Sequence, residues 1–123
     1  MPRKIITVVS LVSAALLLTA CFLMPSPPDT EPSIRGTITS ITLDASGLGT
    51  LLVEAPAGEG LAYDKASVAI VDKTQVLLKG ADGWGRFSAS DLKKGDTVEV
   101  WFTGAVAESY PVQATADTLV VSY

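Results

Sequence analysis

Histidine is absent from this 123-residue chain, and cysteine occurs once, at Cys21. The first absence removes the commonest general base and nitrogen metal ligand. The second leaves the chain downstream of Cys21 with no disulfide, no thiol nucleophile and no thiolate zinc site. Serine, threonine and tyrosine nucleophiles therefore have no imidazole to activate them, and Lys65, Lys73 and Lys79 sit in no catalytic motif. The acidic pairs Asp64 with Asp72 and Glu99 with Glu108 fall in expected turns or on solvated strand faces, with no spacing that joins them in one cleft. Asp82, in Ala81-Asp82-Gly83-Trp84-Gly85, is one carboxylate where calcium needs several. These shortages predict a protein that is not an enzyme and holds no metal or cofactor.

Basic residues are also scarce, nine against thirteen acidic ones, for a formal charge of −4. Removing Arg3 and Lys4 with a leader would leave seven against thirteen, or −6. Nucleic-acid backbones and anionic headgroups are recognised by clustered Lys and Arg, so no nucleic-acid partner is expected.

Long apolar runs are confined to the beginning. Met1-Pro-Arg-Lys4 is short and positive, and Ile5 to Ala20 is uncharged and rich in Val, Leu, Ile and Ala. It ends Leu18-Thr19-Ala20-Cys21, which resembles a bacterial lipobox. The pattern predicts that residues 1–20 are a lipoprotein signal peptide. Cys21 then receives a diacylglyceryl group and further acylation of the palmitate kind, and two or three acyl chains anchor stably. An uncleaved membrane helix is the alternative. However, the 16 residues between Lys4 and Cys21 fall short of the ~20 needed to cross the hydrocarbon core, and Met24-Pro-Ser-Pro-Pro28 stops a helix. The expected location is the cell membrane, lipid-anchored and extracytoplasmic. Phe22 is no retention signal of the aspartate type, so a two-membrane cell would send the protein to its outer membrane.

Residues 22–33 hold four of the seven prolines and read, with Cys21, as an extended tether that lifts the following domain off the membrane. From 34 to 123 the chain reads as strands and turns. Ile34, Gly36 and Ile38 share one parity and Ile41 and Leu43 the other, which predicts a bulge near Ser40. Further strands are expected over Thr50–Glu54 and Ser67–Val71, the latter extended past a kink at Asp72-Lys73 by Thr74–Leu78. Two more are expected over Thr97–Thr103 and about Thr115–Ser122. Gly80 to Gly85 reads as a glycine-rich loop, and Ser88 to Leu92 as one helical turn capped by Ser88. Five strands, a bent first strand and that turn predict an all-β fold, a small five-stranded OB-like barrel. A different five-stranded barrel or a small sandwich is the competing architecture.

Four segments together resemble the YobA-like family of small secreted or lipoprotein domains: Ile34-x-Gly-x-Ile38, Leu51-Leu-Val-Glu54, Leu92-x-x-Gly95-Asp96-x-Val-x-Val-Trp-Phe102 and Glu108-Ser-Tyr-Pro-x-Gln113-Ala114-x-Ala116. The resemblance implies extracytoplasmic placement and an OB-like fold, and brings no activity with it. The functional expectation is a non-enzymatic module that binds a protein, peptide or glycan. The alternative is a structural or accessory subunit of an envelope complex, with its aromatic surface buried against another chain. Candidate binding residues are Trp84 and Arg86 in the glycine-rich loop, Trp101 on the strand parity opposite Val98 and Val100, and Tyr110 and Pro111 in the loop before the last strand. By parity Trp101 should be exposed, and a binding module would gather Trp84, Trp101 and Tyr110 on one patch. The bland readings make Tyr110 a barrel plug and Trp101 a lid on a second small core.

Overall fold

Valine, isoleucine, leucine and threonine fill the segments between turns. In the computed structural model, which describes residues 25–56 and 61–123, these segments form seven strands. They are β1 (Ile34–Leu43), β2 (Gly49–Glu54), β3 (Lys65–Ile70), β4 (Gln75–Gly80), β5 (Gly83–Arg86), β6 (Thr97–Ala107) and β7 (Val112–Ser122). The sheet runs β3-β2-β1-β6-β7, and β7 pairs in parallel with β3 to close a five-stranded OB-like barrel. The described residues contain no α-helix, only a 3-10 turn at Ala89–Asp91. The leader and Cys21 lie outside the described residues.

Closure follows from the apolar alternation. Ile34, Ile38, Leu51, Val53, Ala66, Val68, Ile70, Val98, Val100, Ala116, Leu119 and Val121 project inward, and Leu92 enters from the segment after the 3-10 turn. β-Branched residues dominate this list, as suits a pleated, buried surface. The expected bulge is present: the β1–β2 register shifts between Ile38 and Ser40, leaving Thr39 unpaired. That one extra residue turns Ile41 and Leu43 toward the same core as Ile34 and Ile38. Gly36 lies against the backbone at the end of β2, and a Cβ there would overlap the Glu54 carbonyl.

The kink at Asp72-Lys73 is a break between two strands that share a partner. β3 pairs with residues 112–115 of β7 and β4 with residues 118–121, both in parallel. Thr74 spans the break. Its hydroxyl accepts from the Val71 amide at 3.0 Å and donates to the Ala116 carbonyl at 2.7 Å.

Two local expectations are corrected. The glycine-rich stretch 80–85 is a hairpin rather than a loop, with Gly80 opposite Gly83 and Lys79 opposite Trp84. Its second strand reads Gly-Trp-Gly-Arg and is exposed throughout, so no apolar alternation betrays it. The helical turn exists but Ser88 does not cap it with its side chain. The Ser88 hydroxyl bonds that of Ser90 instead, and Asp91 donates its amide to the Ser88 carbonyl. A turn of three residues is satisfied by its own backbone.

Candidate functional site

β4 and β5 carry the sheet beyond the barrel, and this gives β6 and β7 an outer face with neighbours. Register places Arg35 opposite Glu99, Glu99 opposite Val120 and Val120 beside Leu77. Two residue pairs along, Trp101 lies opposite Thr118. Leu77, Trp101 and Val120 form a second apolar cluster on this face, separate from the barrel core.

Residues 25–33 cover that cluster. Ser33 donates its amide to the Val100 carbonyl at 2.8 Å, and its hydroxyl accepts from the Phe102 amide at 3.0 Å. These bonds fix the segment's C-terminal end to β6. Farther back, the Trp101 indole N–H donates to the Thr30 carbonyl at 2.9 Å, and the Gln75 side-chain amide donates to the Ser26 carbonyl at 3.0 Å. Pro32 is buried and Pro25, Pro27 and Pro28 half-buried. Over these nine residues the proline-rich tether is a strap laid on the sheet, held through its backbone carbonyls.

The parity of Trp101 is as expected, but its exposure is corrected. It retains 8% of its surface because the strap lies over it, and it caps the second small core. Trp84 is different. Paired with Lys79 at the hairpin, it keeps 40% exposure. Trp84, Trp101, Lys79 and the Arg35–Glu99 pair line one groove of about 390 Å³ whose other wall is the strap. Arg35 Nη2 stands 2.9 Å from Glu99 Oε2, and its Nε donates to the same oxygen at 3.0 Å.

The remaining candidates lie elsewhere. Arg86 lines a different cleft with Asp72, Gln75 and Phe87. Tyr110 stands on the β6–β7 turn at 71% exposure, which corrects its reading as a barrel plug. Its hydroxyl is 3.5 Å from an Asp64 carboxylate oxygen, and Lys65 Nζ is 5.8 Å from its ring centroid. The Tyr110–Pro111 peptide is cis, and the Pro111 carbonyl accepts from the Ser109 hydroxyl. The structure thus brings together Trp84 and Trp101 and leaves Tyr110, Pro111 and Arg86 apart from them. Sequence reasoning missed Lys79, Arg35, Glu99 and the strap carbonyls. The parity that groups Glu99 with Trp101 was the available signal for one of them.

The β2–β3 face, where OB-like barrels take ligands, has a different character. Its depression is lined by Thr50, Ser67, Ala69, Gln113, Thr115 and the small residues of the β6–β7 hairpin. It offers no ring for stacking and no cation. Among the described residues no three His, Cys, Asp or Glu side chains are placed to hold a metal ion. No described helix is long and apolar enough to cross a membrane.

Residues 67–121 match a family model described as a protein of unknown function, DUF3221. The match runs from β3 to β7 and so takes in the β4–β5 hairpin and Trp101, but not the strap. No curated protein and no solved structure matches the chain.

Proposed function

We propose that this chain is a membrane-anchored extracytoplasmic lipoprotein of the YobA-like kind, and that its barrel is a non-enzymatic binding module. The observation that carries the binding reading is Trp84: a large, half-open aromatic held by a paired hairpin in the same groove as Trp101, Lys79 and the Arg35–Glu99 pair. An aromatic face beside a few fixed polar groups, on a rigid sheet, suits a peptide or glycan ligand. Nucleic acid is disfavoured by the acidic charge. Trp101, which an accessory-subunit reading would bury against another chain, is covered by the chain's own strap. The anchoring reading is supported by the charge, apolar run and small residues that converge on Cys21.

Two experiments test the two halves. Titrating the full chain with muropeptide fragments and with short synthetic peptides should shift indole emission for one class, and Trp84→Ala should abolish the shift. A folded chain that responds to none of them ends the binding reading. Replacing Cys21 by Ser should leave the protein without a lipid mass and reduce its membrane retention. Retention of an unlipidated chain with an intact Met1 start would point to a membrane-spanning leader instead.

A further inference from the structure

The Trp101 face beside the groove is already covered by a ligand-like segment, and its chemistry is visible. Four of the eight residues from 25 to 32 are prolines, each fixing its φ near −65°. Ser26, Pro27 and Glu31 precede prolines and are biased to extended backbone for that reason. Bends fall at Asp29 and Thr30. Such a segment has little conformational freedom to lose on docking and leaves its carbonyls free to accept. The sheet supplies what it needs: an indole N–H for Thr30, a side-chain amide for Ser26, and rings and aliphatic surface beneath the prolines. Docked proline-rich segments meet aromatic-lined grooves in this way.

From this arrangement we infer that the Trp101 face bordering the Trp84 groove is a receptor for an extended, proline-rich segment of a partner protein, and that residues 25–32 cover it in cis as a built-in competitor. The inference rests on the binding-module reading and names its ligand class. The strap runs into β1 without slack, since Ser33 is already bonded to β6. Its effective concentration is therefore on the order of millimolar or above. A partner segment must exceed that, or arrive when the strap is displaced.

The test uses the full chain in detergent and the nonapeptide PSPPDTEPS, the sequence of residues 25–33. Pro27→Gly with Pro28→Gly loosens the strap without touching the barrel core. The loosened chain should bind the peptide about tenfold or more tightly than the unmodified one. Adding Trp84→Ala should remove the gain. A loosened chain that keeps its circular dichroism and melting profile yet gains no affinity overturns the inference, while the muropeptide and peptide titrations judge the broader reading separately. Should the double variant not fold, the unmodified chain decides. Millimolar peptide should then shift the indole N–H resonances of Trp84 and Trp101 and leave the barrel amides unmoved, and unmoved indoles overturn the inference. Concentration-dependent dimers of the unmodified chain that vanish in the glycine variant would assign the groove to the strap of a second copy, and would overturn the partner assignment.

Discussion

The indole N–H of Trp101 donates to the backbone carbonyl of Thr30, 71 residues earlier in the chain, at 2.9 Å. This bond ties a proline-rich segment with no secondary structure of its own to the centre of a sheet. Trp101→Phe keeps a ring over Leu77 and Val120 and deletes the donor. The expected cost is about 1 kcal/mol, the net worth of one such bond. Urea unfolding measures it, and amide exchange over residues 25–33 should rise while the barrel strands keep their protection. Equal protection of the strap in both proteins would show that Ser33 and the Gln75–Ser26 bond hold it without Trp101.

Thr74 performs two bonds with one hydroxyl at the break between β3 and β4. Thr74→Val conserves shape and leaves the Val71 amide and the Ala116 carbonyl without that partner. A loss of about 1–3 kcal/mol follows if water does not replace it. Thr74→Ser should recover most of the loss, which separates the hydroxyl from the methyl group.

Gly36→Ala tests the close approach of β1 to the end of β2. The added Cβ meets backbone of Glu54 and Ala55, which cannot rotate away as a side chain could. Overpacking of this kind costs about 1–3 kcal/mol, so thermal unfolding should move down by several degrees. An unchanged melting temperature would mean that the strands separate there without penalty.

The β1–β2 turn has a pH signature. The Asp44 carboxylate accepts from the Ser46 hydroxyl at 2.6 Å, the Ser46 amide at 2.9 Å and the Leu48 amide at 3.1 Å. The Ser46 hydroxyl, and next the Leu48 amide, hold the carboxyl below its ordinary value of 3.8. A lowered folded value means that the turn's contribution is complete above about pH 4 and disappears as pH falls through the folded midpoint. Carboxyl titration by NMR should place Asp44 below 3.8, and Ser46→Ala should move it back up. A midpoint at or above 3.8 in the unmodified chain would contradict the geometry.

Much of the barrel was legible because its rules are local. The parity change between Ile38 and Ile41 announced a bulge, and the structure has one at Thr39. The alternation over Thr97–Thr103 placed the start of β6 at its observed residue, Thr97. Seq-local rules fail where a strand has no buried face. Gly83 to Arg86 is wholly exposed and held only by backbone pairing to β4, so its sequence looks like a loop. The site was half legible for a related reason. Parity put Trp101 on the outer face, but what covers it is the strap, whose Thr30 carbonyl takes its indole N–H. A backbone carbonyl is common to every residue type and leaves no trace in composition.

β7 has a consequence for how the molecule comes together. It pairs with β6 on one edge, and with β3 and then β4 on the other. Until residues 112–122 arrive, β3, β2, β1 and β6 form an open sheet whose edges at β3 and β6 are bare, and β4 has only β5 beside it. Bare edges invite pairing with other chains, and distant pairings form slowly. A nascent or truncated chain lacking this strand is therefore an open, adhesive sheet and not a smaller version of the same barrel.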